Sequence, residues 1–286
     1  ARMADKPAAT LLHCGPGMAN ALANMHNARR AWTPMINVVG DHATYHVPLD
    51  AQLQSDIETV ARNVSPGFVR TSQRTAELCR DAVDAIAAAR GLPGQVATLI
   101  LPADVSWGDG GTPCPPPPAL QPEAADDAVV ASIAAVIRAD KPSALLLGGR
   151  ALREPALLAA ARLAAHAGIK VLAETFPTRL ERGAGLPPVE RIAYLAELAG
   201  VQLAPLEHLI LVDAKPPVSF FAYPGKPSQL VPERCSVHTL ATPSQDAAAS
   251  LEKLARALGA EAVEPARQPA QRPWRRVSLA TEVEDP

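Results

Sequence analysis

Short apolar segments alternate with helix-length segments along most of this chain. The apolar segments are residues 8–14 (AATLLHC), 35–40, 68–71, 95–101, 143–149 (SALLLGG), 170–174, 208–213 and 235–240. Strands that are apolar throughout are typical of parallel sheets covered by helices on both faces. The pattern therefore predicts an α/β fold with two doubly wound, mainly parallel sheets.

The segments between these strands have the periodicity and alanine content of helices. The predicted helices cover residues 18–30, 52–64, 73–90, 126–139, 154–166, 189–198 and 244–258. Five of them, at residues 18–30, 52–64, 73–90, 154–166 and 189–198, join one predicted strand to the next within a half, as crossover connections between parallel strands require.

A proline-rich segment divides the pattern into two halves. Prolines occupy positions 115–118, and such runs favour an extended connector over a packed element. We predict one domain over residues 1–107, a linker over 108–123, a second domain over 124–258 and a further linker over 259–286. The chain begins with Ala1 and ends in a charged, proline-rich stretch, so we expect a piece of a longer protein, with a processed N-terminus as the alternative.

Composition excludes several classes of function. The net charge is −2 and aromatic residues are 3% of the chain, which argues against nucleic-acid binding. No apolar run of about 18 residues occurs, so no membrane span is expected. Four scattered cysteines without a CxxC pair predict a reduced, cytoplasmic protein without a zinc site.

The segment CGPGMANALANMHNARR, residues 14–30, joins the first strand to the first helix. Gly15-Pro16-Gly17 matches neither GxGxxG nor GxxxxGK[ST], and Pro16 removes one backbone donor. From the residues alone, a tight turn is favoured over a nucleotide phosphate site. The junction LLLGGRALRE, residues 145–154, could approach a dinucleotide pyrophosphate, but it lacks the third glycine and turn chemistry is favoured there too.

Polar side chains follow the second strand in the segment GDHATYH. Asp41, His42, Tyr45 and His46 lie where open α/β sheets place their ligands. A histidine beside a carboxylate can move protons near neutral pH, so we predict a functional site there, with a solvated strand end as the alternative. Metal binding is disfavoured because the two histidines have no third ligand nearby.

Several motifs resemble one family in order and spacing. They are Lys6-Pro7, Gly15-Pro16-Gly17 with Asn20, Thr33-Pro34 through Gly40, and LPADV at residues 101–105. Together they resemble the pyrimidine-binding domain of thiamine diphosphate enzymes of the acetolactate synthase and benzoylformate decarboxylase group. Residues 124–258 resemble the central domain of that family.

The resemblance implies a thiamine diphosphate cofactor that supplies carbanion chemistry on a 2-keto acid, with Mg²⁺ binding its diphosphate. It implies that Gly15, Pro16, Gly17 and Asn20 lie against the pyrimidine, and that His42 and His46 correspond to active-site histidines. Asp41 stands where many relatives have glutamine. Two subunits share each cofactor in this family, so a homodimer or homotetramer is implied.

Three family features are not found in the sequence. The glutamate that protonates the pyrimidine would precede Ala1, and the diphosphate motif GDG…Asn would belong to a third domain. Gly108-Asp109-Gly110 does not complete that motif, because no asparagine follows Asn63. The chain reads DAKPPVSFFAYPGK where flavin-binding relatives have GARFDD, so the sequence gives little support for FAD.

The leading hypothesis is therefore that the chain is part of an acetolactate synthase-like enzyme, which decarboxylates a 2-keto acid and transfers the carbanion. The alternatives are an aromatic 2-keto acid decarboxylase of the benzoylformate type and a non-catalytic two-domain scaffold or degenerate paralogue. We expect the 286-residue chain alone to be inactive, and we expect poor solubility if a sheet edge is left uncovered.

Overall fold

The first sheet contains four parallel strands. In the computed structural model, which describes residues 1–115 and 117–269, the strands are β1 (Ala8–His13), β2 (Met35–Asp41), β3 (Val69–Thr71) and β4 (Val96–Pro102), in the order β1-β2-β4-β3. The helices that connect or follow them are α1 (Cys14–Arg30), α2 (Ile57–Arg62), α3 (Thr75–Ala89) and α4 (Ala103–Trp107). Strand β1 is at the edge of the sheet.

Helices cover both faces of this sheet because consecutive residues of its strands point to opposite sides. Ile100 of β4 packs with Met18 and Met25 of α1. Its neighbour Leu99 packs on the other face with Ala85 of α3. The sheet is therefore doubly wound, as the sequence predicts.

The second sheet contains five parallel strands. They are β5 (Ser143–Leu147), β6 (Lys170–Ala173), β7 (Glu190–Arg191), β8 (His208–Val212) and β9 (Ser236–Ala241), in the order β7-β6-β5-β8-β9. Helices α5 (Asp127–Arg138), α6 (Glu154–Ala167), α7 (Ala196–Leu203) and α8 (Ala247–Leu258) pack around it.

The central strand β5 is buried on both faces. Leu145 and Leu147 belong to the core shared with α5, α6 and α8, whereas Leu146 belongs to the core shared with α7. Burying a leucine side chain fully contributes about 1.5–3 kcal/mol. The continuous apolar run that predicted this strand is thus explained by two separate hydrophobic cores, and the predicted α/β class with parallel sheets is confirmed.

Three predicted helices differ from the structure by several residues. The helix predicted over residues 52–64 is shorter, because α2 covers only Ile57–Arg62, with Asp56 capping its start. Helix α1 begins at Cys14 and not at residue 18, because proline and glycine are tolerated in a first helical turn whose N–H groups have no intrahelical partner. The helix predicted over residues 189–198 is wrong in position: Glu190–Arg191 pairs with β6, and α7 covers Ala196–Leu203.

The predicted domain boundaries remain predictions. The described residues between Trp107 and Asp127 lie in neither helix nor strand. Most of the linker predicted over 259–286 lies outside the described residues, which end at 269. Within the described part of the chain, no helix is long and apolar enough to cross a membrane.

Candidate functional site

The carboxyl ends of three neighbouring strands form the candidate site. His13 of β1 is in register with Gly40 of β2, which is in register with Leu101 of β4. Helix α1 starts immediately after β1, and the histidine loop follows β2. The predicted residues are thereby brought to one edge of the sheet, where α/β folds of this kind bind ligands.

The glycine-proline-glycine segment forms the first turn of α1. Cys14 has a φ of +51°, which turns the chain sharply from strand to helix. Gly15 is buried, and a Cβ atom there would lie 2.1 Å from Ser55 Oγ, so this position needs glycine. No side chain caps the helix at His13. The turn therefore presents backbone N–H groups at the edge of the sheet.

Pro16 and Asn20 form an accessible face beside this turn. Both are exposed, whereas Gly17 is half-buried. Residues four positions apart lie on the same side of a helix, so the pyrrolidine ring and the amide point in the same direction. This face therefore offers apolar contact and hydrogen bonding side by side.

Asp41 is the last residue of β2, and His42 and His46 lie in the loop that follows it. The backbone N–H of His42 donates to Asp41 Oδ1 at 2.8 Å, and the rings of His42 and His46 are 5.4 Å apart between centroids. His42 Nε2 is buried and has no hydrogen-bond partner among the described residues. Because a buried polar atom without a partner is costly, this nitrogen is a strong candidate for binding a ligand.

Asp104 fixes the loop that carries the two histidines. Thr44 donates to it twice, through its backbone N–H at 2.9 Å and its hydroxyl at 2.5 Å. These hydrogen bonds hold the pKa of the Asp104 carboxyl below its usual range. The contact links the loop after β2 to α4, which follows β4, and so positions His42 and His46.

His13 lies at the same edge of the sheet, although it was not among the predicted residues. It is exposed at the end of β1, and its Nδ1 is 3.9 Å from the buried Cys14 thiol. Burial, and then the nearby Asp41 charge, raise the pKa of Cys14, so this thiol stays protonated and is a poor nucleophile. The strand register could have revealed His13, because it is the last residue of β1 and aligns with Gly40.

The residues present do not form a Mg²⁺ site. In the ranges 1–115 and 117–269, no group of three His, Cys, Asp or Glu side chains is arranged to hold a metal ion. Gly108-Asp109-Gly110 follows α4, and no asparagine follows Asn63 in the sequence. The described residues thus contain no cluster that could hold a metal-bound diphosphate.

Comparison with known proteins finds similar sequences. Residues 1–61 match the family described as thiamine pyrophosphate enzyme, N-terminal TPP binding domain. The chain is 55% identical over 253 residues to a protein of Mycobacterium tuberculosis assigned as an acetolactate synthase large subunit, IlvX. This alignment covers 88% of the chain and 48% of the relative, so the chain spans about half the length of the curated relative that it matches.

Solved structures share the fold. A structure from Mycobacterium smegmatis assigned as a thiamin diphosphate-dependent enzyme has a TM-score of 0.74 at 22% identity, over 95% of this chain and 54% of that one. The thiamine diphosphate-dependent 4-hydroxybenzoylformate decarboxylase of Rhodococcus jostii RHA1 has a TM-score of 0.72 at 16% identity, over 96% and 55%. The sequence matches and the shared fold agree: the chain carries the N-terminal TPP binding domain of thiamine pyrophosphate enzymes at residues 1–61 and is similar in sequence and fold to such enzymes over most of its length.

Proposed function

We propose that this chain is part of a thiamine diphosphate-dependent enzyme that decarboxylates a 2-keto acid and transfers the resulting carbanion, as acetolactate synthase does. The observation that carries the proposal is the 55% identity over 253 residues to the relative assigned as an acetolactate synthase large subunit. The N-terminal TPP-binding match supports the cofactor.

The first sheet's carboxyl edge would hold the pyrimidine side of the cofactor. When bound, thiamine diphosphate supplies the carbanion chemistry of decarboxylation. The chain's own residues bind and orient: Pro16 packs against the ring plane, and Asn20, one helical turn away, hydrogen-bonds its edge. A diphosphate clamp with Mg²⁺ would come from residues other than those described.

The histidine loop would move protons on the substrate side of the ring. His42 Nε2 has no partner in the described chain, so it is free to hold a proton at a substrate carbonyl oxygen or carboxylate. His46 stacks obliquely against His42 and restricts its orientation. Asp41 holds the backbone of His42 in place.

A second candidate is decarboxylation of an aromatic 2-keto acid of the benzoylformate type. The paired imidazoles favour it, because a carboligase needs to exclude protons from the carbanion whereas a simple decarboxylase needs to deliver one. The fold shared with a 4-hydroxybenzoylformate decarboxylase is compatible with this candidate.

Product analysis distinguishes the two candidates. The protein should be expressed from its native gene with whatever coding sequence flanks these 286 residues, and assayed with thiamine diphosphate and Mg²⁺. Acetolactate from pyruvate supports the first proposal, and benzaldehyde from benzoylformate supports the second. If a folded protein gives neither product, both proposals are wrong and the non-catalytic alternative stands.

The role of His42 has its own test in the same assay. We expect His42→Asn to lower kcat by about 10²-fold, the usual contribution of a positioned acid–base group. His26→Asn is the matched control, because His26 is exposed on α1 away from the loop. Equal activity of the two variants would contradict the role of His42.

We also propose a homodimer or homotetramer in the cytoplasm. All four cysteines are free, which agrees with a reducing compartment. A second subunit is proposed because the pyrimidine face at Pro16 and Asn20 is exposed and needs a partner to enclose the cofactor.

A further inference from the structure

The glycine turn after β5 lies where a doubly wound sheet binds a dinucleotide. The chain leaves β5 to form β6 on one side and returns as β8 on the other, so a crevice opens at their carboxyl ends. Gly148 and Gly149 connect β5 to α6 at this point. In dinucleotide-binding folds, backbone N–H groups of such a turn hold the pyrophosphate.

In this chain the N–H groups of the turn already have acceptors. Gly149 N–H donates to Glu174 Oε1 at 3.1 Å, and Arg150 N–H donates to Asp213 Oδ2 at 2.7 Å. The flanking Gly148 and Ala151 N–H groups donate to the carbonyl oxygens of Val212 and Gly148.

The first turn of α6 is occupied in the same way. The N–H of Glu154, the first residue of α6, donates to Glu181 Oε2 at 2.7 Å. The N–H groups of residues 148–151 and of Glu154 are thus all satisfied within the chain. Three of these five N–H groups donate to carboxylates.

The two glycines are explained by the close approach of Asp213. A Cβ atom on Gly149 would lie 2.4 Å from Asp213 Oδ2, and one on Gly148 would lie 2.4 Å from the Asp213 carbonyl oxygen. The absence of side chains at these positions therefore makes room for the protein's own aspartate. No phosphate is needed to account for them.

The charge of the crevice also disfavours a diphosphate. Burial raises the pKa of Glu174 to about 7 and that of Asp213 to about 6. Above these pH values both groups are ionised, and they would repel the negative charges of a pyrophosphate over a few ångströms.

We infer that Glu174 and Asp213 are internal ligands of the glycine turn, that Glu181 is the internal ligand of the first N–H of α6, and that the crevice of the second sheet does not bind the diphosphate of FAD or another adenine nucleotide. FAD, which the family resemblance leaves possible, does not fit these residues. The inference concerns the second sheet alone, so it holds whichever reaction the first sheet supports.

Binding of FAD and ADP to the purified chain is the first test. We expect no saturable binding of either probe by calorimetry or flavin fluorescence at concentrations up to about 1 mM. Stoichiometric binding tighter than about 0.1 mM, competed between the two probes, would overturn the inference.

Amide hydrogen exchange measures the internal ligation directly. The N–H groups of Gly149 and Arg150 should be protected in the wild type and in Glu174→Gln and Asp213→Asn, which keep an acceptor oxygen. Glu174→Ala should expose Gly149 alone, and Asp213→Ala should expose Arg150 alone, each by at least tenfold in rate. Unchanged exchange in both alanine variants would refute the proposed ligation. If an alanine variant does not fold, unprotected Gly149 and Arg150 N–H groups in the wild type and the amide variants would refute it.

Discussion

At the scale of single residues, Glu174 links the stability of the second sheet to pH. Burial raises its pKa from 4.5 to about 7, so the folded state holds the proton more tightly than the unfolded state does. Stability is therefore full below about pH 4.5 and falls as pH rises towards 7, by at most about 3 kcal/mol. The same sign applies to Asp213, whose pKa is raised from 3.8 to about 6.

We therefore expect Glu174→Gln to flatten the upper part of the stability curve. Urea unfolding at intervals from pH 4 to pH 8 should show the wild type losing stability up to about pH 7. The variant should stop losing stability above about pH 6, the pKa of Asp213, once that group is ionised. Glu264→Gln, at an exposed position, is the control and should follow the wild type. Parallel curves for Glu174→Gln and the wild type would show that Glu174 is not buried as described.

The candidate site illustrates what single residues reveal from sequence. Asp41, His42 and His46 were predicted because they lie within six residues at the end of a recognisable strand. Local pattern was enough to place them together, and their role in a site stays a prediction. The position of His13 next to Gly40 depends on strand register across 27 residues of chain, and Glu174 meets Gly149 only through a crossover. Contacts of this kind are set by tertiary structure, which the local pattern does not contain.

At the scale of elements, a row of polar side chains crosses the middle of the first sheet. Thr10 of β1, Asn37 of β2 and Thr98 of β4 are in register. The Asn37 amide accepts from Thr10 Oγ1 at 2.8 Å and donates to Thr98 Oγ1 at 3.3 Å. Asn37 is fully buried, so its polar atoms depend on these partners.

Replacing Asn37 should destabilise the sheet. Asn37→Leu should cost about 1–3 kcal/mol because the row loses its central donor and acceptor. Asn37→Asp should cost more at pH 7, since it buries an additional charge. Asn27, exposed on α1, gives the matched controls Asn27→Leu and Asn27→Asp. Chemical unfolding measures all four, and equal stability of the Asn37 and Asn27 variants would contradict the role of the row.

The presence of a helix or strand was easier to predict from the sequence than the residues at which it begins and ends. The apolar strands β5 and β8 were found almost to the residue because both of their faces are buried. The predicted helix over 189–198 failed because Glu190–Arg191 is short and exposed, and is a strand only through pairing with β6.

The exposed edge strand β1 predicts that the protein self-associates. It pairs on one side only, with β2, and Leu11 on it is 80% exposed. An exposed apolar edge strand promotes edge-to-edge pairing, and a lysine there suppresses it. We expect Leu11→Lys to reduce concentration-dependent light scattering, whereas Leu49→Lys, at an exposed leucine outside the strands, should not. Equal scattering by wild type and Leu11→Lys would show that this edge is not the cause.

At the scale of the whole molecule, the two sheets differ in what their carboxyl edges leave available. The first edge exposes Pro16 and Asn20 and leaves His42 Nε2 without a partner among the described residues. The second edge satisfies its glycine turn with its own carboxylates. The same α/β architecture thus offers a ligand surface in one half and a closed turn in the other, so ligand binding is expected to depend on the first sheet.

This difference between the two sheets predicts how the isolated chain should bind thiamine diphosphate. The proposed pyrimidine face at Pro16 and Asn20 would contact the part of the molecule that thiamine and thiamine diphosphate share, and the described residues contain no cluster that could hold Mg²⁺ on a diphosphate. Calorimetric titration of the 286-residue chain should therefore give affinities for thiamine and thiamine diphosphate that agree within about threefold, with and without Mg²⁺.

The same chain should show no turnover of pyruvate, because a weakly held pyrimidine does not position the reactive ring. Pro16→Ala with Asn20→Ala should weaken both ligands equally, and the exposed pair Asn24→Ala with Asn27→Ala on the same helix is the control. A tenfold or greater gain for thiamine diphosphate over thiamine on adding Mg²⁺ would mean that this chain, or an assembly of its copies, forms a diphosphate site. Such a gain would remove the reason for expecting the isolated chain to be inactive, since the complete cofactor would then be held.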